Sequence, residues 1–227
     1  MLSKRLKNVA SYVKSPIKLA DIGSDHAYLP CYICELHGDA IAIAGEVNQG
    51  PFERALSTVK EHGLSDRISV RKGNGLDVIQ QGEVNQIVIA GMGGKLIRQI
   101  LVEGNKKLLG VKRLILQPNL DAHLIRRWLQ ENNYQVVAEE MIEEDGYIYE
   151  IIVSDYVEIS PKYTKKEILF GPKLLEQKNK AFMNKWQWEK DKRIRLIKEI
   201  QKASKIPVDK LEEMKRELKQ IEEVLQE

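Results

Sequence analysis

Cysteine is almost missing from this chain. It occurs twice in 227 residues, as Cys31 and Cys34. Two thiols build no disulfide framework, so the fold is expected to rest on its own core, which points to the reducing cytoplasm. A single Cys-x-x-Cys pair with no second ligand pair also argues against zinc. No metal is expected, and both cysteines read as small buried residues of a helix. Long hydrophobic runs are lacking too. No apolar stretch approaches the roughly 20 residues that span a bilayer, and no secretory leader opens the chain. Neither a membrane partner nor export is expected. Charge of one sign is scarce in sum, since 36 basic and 33 acidic residues leave a net of +3.

What is present has the makings of a folded protein. A hydrophobic fraction of 43% with 30% charged residues suits a packed domain. A length of 227 residues holds one sizeable α/β domain and a smaller appendage. The charge is unevenly spread: residues 160–227 carry 18 Lys+Arg and 12 Asp+Glu, against 18 and 21 over residues 1–159. A basic tail on a mildly acidic core suits an appendage that meets a polyanion, or a solvated helical hairpin. Charge alone leaves both readings open.

Leu2, Leu6, Val9 and Val13 recur at helical spacing, so Met1 to Tyr12 reads as a short amphipathic helix. Short apolar runs then alternate with helical periodicity. Residues 17–22, 41–44, 68–70, 86–90 and 114–116 are strand-like, and residues 52–62, 96–101 and 124–129 are helix-like. Such alternation predicts βαβ crossovers and a parallel sheet covered on both faces. Residues 135–143 and 147–156 are β-rich and are separated by Glu144-Asp145-Gly146, an Asp-Gly hairpin signal. The expected fold is α/β: a Rossmann-like sheet of the class I methyltransferase kind, mostly parallel, with an antiparallel C-terminal hairpin.

After Ser160-Pro161 the pattern changes. Residues 174–205 read as one long basic helix, broken at Ile206-Pro207 because proline disfavours helix at the residue before it. A second helix sets Leu211, Met214, Leu218, Ile221 and Leu225 on a heptad seam. The expected domains are residues 1–159, carrying the sheet, and residues 160–227, a small all-α helical hairpin of coiled-coil-like character.

In an open parallel sheet the ligand binds beyond the carboxyl ends of the strands, where strand order reverses. The distinctive strings all fall at such ends. Asp21-Ile22-Gly23-Ser24-Asp25-His26 closes the first strand, and Gly23 allows a sharp turn with close backbone approach. Glu46, followed by Val47, closes the second strand, where a carboxylate can accept both ribose hydroxyls of an adenosine-containing cofactor. Asn74 and Gly75 follow the third strand, where an amide can meet an adenine edge. Gly91-Met92-Gly93 follows the fourth. NAD is the competing ligand, since it uses the same acidic residue. The first loop, however, lacks the Gly-x-Gly-x-x-Gly fingerprint that admits a pyrophosphate. Asp25 instead brings negative charge, which suits a sulfonium, so the loop favours S-adenosylmethionine.

At these residues the sequence resembles the bacterial tRNA (adenine(22)-N1)-methyltransferase family, TrmK. The resemblance is carried by residues 20–30 (ADIGSDHAYLP), 44–46 (AGE), 50–52 (GPF), 73–76 (GNGL), 89–94 (IAGMGG) and 114–119 (LILQPN). It continues at residues 143–146 (EEDG), 170–172 (FGP) and 185–186 (KW), and so covers nearly the whole chain. It implies a class I methyltransferase domain, a coiled-coil-like C-terminal domain, and methyl transfer to N1 of an adenine in the tRNA D-arm. Asn74 stands where the family pattern carries Asp, and its carbonyl oxygen still accepts a hydrogen bond.

Adenine N1 has a free in-plane lone pair, so alignment and exclusion of water matter more than a general base. Gln117 and Asn119, at the fifth strand end, offer two amides for the base edge. Tyr28 or Tyr147 is a stacking candidate, and His26 can meet cofactor or base. Gly-Met-Gly-Gly stands where exocyclic-amine methyltransferases carry an Asn/Asp-Pro-Pro-aromatic loop, which favours a ring nitrogen as target. Residues 162–205 hold 14 basic and 5 acidic residues. Lys162, Lys165, Lys166, Lys173, Lys178, Lys185 and Arg193 are the cations expected to follow a phosphate backbone, while Trp186 is assigned to packing. No obligate protein partner is implied. Two other classes stay open at this point: an NAD(P)-binding oxidoreductase, and a non-catalytic RNA-binding adaptor on a methyltransferase fold.

Overall fold

The computed structural model describes residues 2–159, 161–202 and 208–226, which form two compact units, Met1–Lys173 and Leu174–Glu227. The first unit opens with helix α1 (Lys4–Ser11), whose N-cap Ser3 accepts the Leu6 N–H. Strand β1 (Lys18–Ile22), helix α2 (Tyr28–Leu36), strand β2 (Ile41–Glu46), helix α3 (Gln49–Glu61) and strand β3 (Ile68–Lys72) follow. Then come β4 (Gln86–Met92), α4 (Gly94–Glu103), β5 (Arg113–Pro118), α5 (Ala122–Glu131), β6 (Tyr134–Glu144) and β7 (Tyr147–Tyr156). The seven strands lie in the order β3-β2-β1-β4-β5-β7-β6. The first five are parallel, and β7 runs antiparallel to both neighbours.

The expected α/β sheet with its antiparallel close is therefore present. The hairpin turns at Asp145 and Gly146, with φ of +52° and +78°. Two left-handed central residues are what a tight turn between right-twisted strands requires. The last strand enters the sheet between β5 and its own hairpin partner, an order that the Asp-Gly signal does not specify.

The central strands are buried almost end to end because helices cover both faces. Side chains alternate across the sheet. Ile87, Ile89, Leu114 and Leu116 pack on one face with Ile97, Leu101, Ile125 and Leu129 of α4 and α5. Val88, Ile115 and Val153 pack on the other face with Val9, Leu29, Ile33 and Val59 of α1, α2 and α3. Cys31 and Cys34 are buried in α2 in that second cluster, the packing role expected of them. Among the described residues no helix is long and apolar enough to cross a membrane.

The division between units falls at Lys173/Leu174, later than the boundary expected after residue 159. Residues 161–173 belong with the sheet for a physical reason. The Tyr163 hydroxyl accepts the Val136 N–H at 2.9 Å, and the Tyr163 N–H donates to Gln130 Oε1. Helix α6 (Lys165–Phe170) starts with a capping box in which Thr164 and Glu167 satisfy each other's backbone N–H groups. Beneath it Arg126, fully buried, donates through Nε to Glu139 Oε1 at 2.6 Å and through Nη2 to Glu150, while Nη1 reaches the carbonyls of Ile168 and Leu169. Glu139 also accepts the Lys173 N–H at 2.8 Å.

The long helix expected over residues 174–205 is interrupted. Helix α7 (Pro172–Gln177) ends before Lys178, which takes φ +40°, and α8 (Lys180–Lys202) starts afresh. Asn179 caps it, with Oδ1 accepting the Phe182 N–H at 2.9 Å. The expected break at Ile206-Pro207 lies outside the described residues. Helix α9 (Val208–Gln226) pairs with α8, and Arg193–Glu217 and Lys190–Glu222 cross between them. Of the expected seam Leu211 and Ile221 are buried, joined by Val224, with Met214, Leu218 and Leu225 half-buried. This second unit is the helical hairpin that the heptad spacing predicts.

Removing one member of a buried ion cluster takes the countercharge from the others. Arg126→Met leaves two buried carboxylates face to face and is expected to lower stability by about 3–5 kcal/mol. Adding Glu139→Gln and Glu150→Gln should recover much of that loss. Denaturant unfolding of the single and triple variants measures both, and equal stability of Arg126→Met and the parent would remove the cluster from this role.

Candidate active site

Strand β1 lies between β2 and β4, so the chain leaves it first to one side and then to the other, the topology at which an open sheet takes its ligand beyond the carboxyl ends. The loop after β1 has an unusual backbone. Gly23 takes φ +71°, and its N–H and that of Ser24 both donate to the Gly45 carbonyl, at 2.9 and 3.2 Å. Three non-glycine residues follow in the left-handed region: Asp25 (φ +43°), His26 (+73°) and Ala27 (+60°). That region costs an ordinary residue roughly 1–2 kcal/mol, and such strain persists where the surroundings over-determine it. Here the Asp25 N–H donates to Glu46 Oε1 at 2.5 Å. Ala27 is fully buried, and its carbonyl accepts the Cys31 N–H at 3.0 Å to start α2. His26 Nε2 stands 3.2 Å from Asp25 Oδ1, and its ring lies 5.5 Å from that of Tyr28.

Negative charge gathers on this loop. Asp21 and Glu46 are both buried. Burial, reinforced by the charge of Glu46, pushes Asp21 up to about 7. Burial raises Glu46 as well, opposed by the Asp25 N–H. Asp25 itself is exposed. Carboxylates in this setting favour a cation and repel a pyrophosphate, so the donor set fits S-adenosylmethionine and does not fit a dinucleotide. Val47, exposed, stands just past β2. Asn74 is exposed and begins the short 3-10 turn Gly75–Val78, in which a Cβ on Gly75 would lie 3.1 Å from Ile100 Cγ2. Among the described residues no cluster of His, Cys, Asp and Glu is arranged to hold a metal.

The neighbouring strand ends are joined by amides. Gly91 takes φ +78°, and β4 slips register against β5 between Ala90 and Met92. Gln117 is fully buried, and its Oε1 accepts the Gly91 N–H at 3.0 Å and an N–H of Arg5. Gln117 Nε2 donates to Asn119 Oδ1 at 3.1 Å, and Asn119 Nδ2 donates to the Gly91 carbonyl at 2.9 Å. Asn119 is exposed. The two amides expected here are thus brought together, but Gln117 stands behind Asn119 and not at the surface beside it. Gly93 opens α4 as its N-cap.

A profile of the TrmK family, described as tRNA (adenine(22)-N(1))-methyltransferase, matches residues 19–224. The chain is 43% identical to the tRNA (adenine(22)-N(1))-methyltransferase of Bacillus subtilis over 99% of its own length and 97% of the relative's. It belongs to the TrmK family. The crystal structure of the Bacillus subtilis m1A22 tRNA methyltransferase TrmK superimposes with a TM-score of 0.92 at 42% identity, covering 99% of each chain. A putative tRNA (m1A22) methyltransferase of Streptococcus pneumoniae, solved in complex with S-adenosyl-L-methionine, gives 0.89 at 42% identity, over 99% of this chain and 100% of that one.

Within this TrmK-family chain the structure also gathers residues that sequence reading passes over. Arg5 lies 5.2 Å from the ring centroid of Tyr149. Glu144, at the hairpin turn, accepts the backbone N–H groups of Lys4 and Arg5 at 2.6 and 3.1 Å. A carboxylate at a helix N-terminus is favoured electrostatically. The string EEDG holds the only sequence trace of this dock, and nothing in it points to residue 5. The cations expected on the polyanion side are dispersed. Lys162 and Lys165 are exposed on the first unit, where Lys166 is half-buried and the Lys173 N–H is tied to Glu139. In the second unit Lys178 Nζ reaches the Val224 carbonyl, Lys185 stands over Trp186, and Arg193 is held between Glu189 and Glu217. Trp186 is buried, as its packing assignment required.

Asp21 carries a pH prediction. In the unfolded chain it ionises near the ordinary value of 3.8, and in the folded, ligand-free protein only near 7. The fold holds the extra proton between these values, so stability declines as pH rises from about 4 through about 7. Asp21→Asn removes that decline. Near pH 8 the ligand-free variant should unfold several degrees above the parent, at roughly 2–4 °C per kcal/mol for a chain of this size, and near pH 4 the two should coincide. Thermal unfolding at both pH values decides it, and matching midpoints at pH 8 would refute the buried charge.

Proposed function

We infer that this chain transfers the methyl group of S-adenosylmethionine to N1 of adenine 22, in the D-arm of bacterial tRNA. The observation that carries the reading is the acidic, single-glycine loop after β1 in a chain of the TrmK family. When bound, S-adenosylmethionine supplies a methyl group on a positively charged sulfur. Asp21 and Asp25 provide the negative charge that receives such a cofactor, and Gly23 and Ser24 bring the backbone close to it. Glu46, held by the Asp25 N–H, is assigned to the ribose hydroxyls, with Val47 beside it. Asn74 and Gly75 are assigned to the adenine edge of the cofactor, and Gly91, Met92 and Gly93 to the wall beneath.

The target base needs no general base, because N1 offers its lone pair directly. The chain's task is to align that nitrogen and exclude water. Asn119 presents its amide at the base side, with Gln117 as its support. Tyr28, about half exposed, and His26 flank the same loop and are assigned to stacking against the base. The phosphate contacts fall to Lys162, Lys165, Lys166, Lys173, Lys178 and Lys185. Arg193, already matched by two carboxylates, serves the hairpin.

The test is methyl transfer to unmodified bacterial tRNA, with the product base identified by mass spectrometry. 1-Methyladenosine at position 22 is expected, and a competent, folded protein that binds the cofactor yet yields no such product would refute the reading. Asn119→Ala should lower the transfer rate at least tenfold while calorimetry shows cofactor affinity unchanged. Lys162→Gln with Lys165→Gln should weaken tRNA binding and reduce the slope of log affinity against log salt by about 1–2. A salt series on parent and variant measures it, and an unchanged slope would take these two lysines off the phosphate path.

A further inference from the structure

We propose that Arg5 is a positioning residue that locks Gln117 and Asn119 in one amide orientation, leaving Asn119 a single acceptor and a single donor for the N6–H and N7 of the target adenine. The inference rests on the reading of Asn119 as the residue at the base.

An amide side chain can usually be turned over, exchanging its oxygen and nitrogen. Here the ends of the chain of hydrogen bonds have fixed polarity. Arg5 and the Gly91 N–H only donate, and both point at Gln117 Oε1. Gln117 must then offer its NH2 group to Asn119 Oδ1, at 3.1 Å. The Gly91 carbonyl only accepts, and it takes a hydrogen from Asn119 Nδ2 at 2.9 Å. Turning either amide over would set N–H against N–H at Arg5, or oxygen against oxygen at Gly91. The Asn119 N–H is tied as well, to the Met92 carbonyl at 2.8 Å.

What remains of the Asn119 side chain is one lone pair on oxygen and one hydrogen on nitrogen. That pair matches the Hoogsteen edge of adenine, where N6–H donates and N7 accepts. Guanine presents two acceptors, O6 and N7, on the same edge, and does not match. Holding adenine by this edge leaves N1 open, which is the atom to be methylated. Arg5 itself is held by Tyr149 and by the Glu144 carboxylate at the start of α1. The lock is therefore assembled from the first helix, the ends of β4 and β5, and the hairpin.

The experiment compares tRNA carrying adenosine at position 22 with tRNA carrying 7-deazaadenosine there, which lacks the N7 acceptor and keeps N1 and N6. The unaltered protein should lose about tenfold in kcat/KM on the deaza substrate. Asn119→Ala should be slow on both and no longer tell them apart. Arg5→Met should lower kcat on adenosine with cofactor affinity and KM for tRNA unchanged, and should shrink the deaza effect towards one. Combined with Asn119→Ala, it should add no further loss. Equal rates of the unaltered protein on the two substrates would overturn the proposal while leaving the methyltransferase reading intact. Failure on adenosine itself would overturn that reading and this one with it. The base-substitution arm needs no variant, so it decides the matter even if Arg5→Met disturbs α1.

Discussion

The hydrogen bond from the Asp25 N–H to the Glu46 carboxylate, 2.5 Å long, joins the loop after β1 to the tip of β2. It ties two adjacent strand ends on one side of the β1/β4 switch point, and the shape of the loop depends on it. Three consecutive left-handed residues together cost several kcal/mol by the usual increments. Local packing offsets them: Ala27 is enclosed, Leu29 and Ile33 fix the helix that follows, and Gly45 accepts two N–H groups from the turn. A loop held in this way aims Asp25 and His26 outward with little freedom to rearrange. A ligand meeting it loses little to ordering of the site.

The unit contains two groups of buried carboxylates, and they are handled in opposite ways. Glu139 and Glu150 are neutralised within the protein by Arg126, which also fastens residues 168 and 169 to the sheet. That group is structural, since its charges face each other and not solvent. Among the described residues Asp21 and Glu46 receive no comparable cation, and burial raises both. A site that holds carboxylates in this condition has electrostatic energy to release when positive charge arrives. The same chemistry, acid under low dielectric, is thus neutralised by a buried cation in one place and left with raised carboxyls in the other.

Much of this was legible in the chain, for physical reasons that differ between elements. Strand ends carry their distinctive residues in short strings, so Asp21 to His26, Glu46 and Gly91 to Gly93 are placed at such ends without knowing how the strands are ordered. The hairpin was legible because two left-handed turn residues restrict sequence to pairs such as Asp145-Gly146. Contacts made across the chain leave no such trace. Arg5 meets Gln117, 112 residues away, and Lys4 meets Glu144 across 140. Neither end of such a pair is marked by spacing or periodicity. The interruption at Lys178 was hidden for another reason: its neighbours continue a helical pattern on both sides, and only the Asn179 cap betrays a new start. The boundary at residue 159 was misplaced because a proline and a change in charge mark a change of surface, whereas Tyr163 and the Arg126 cluster keep the next stretch on the sheet.

The charge asymmetry of the chain has a consequence for how two unlike ligands are kept apart. Asp21 and Glu46 act over a few ångströms from buried positions, where salt screens weakly, whereas the exposed Asp25 carboxylate is open to screening. Exposed lysines act over a Debye length and lose strength steeply as salt rises. A small cation and a polyanion sorted by these two mechanisms respond to different variables, one to the proton occupancy of Asp21 and the other to ionic strength. Asn119 hydrogen-bonds Gln117 and Gly91, and Arg5 donates to the same Gln117 oxygen, so the orientation of this amide is set by donors and acceptors of fixed polarity. That polarity is a third variable, distinct from both the proton occupancy of a buried carboxyl and the ionic strength.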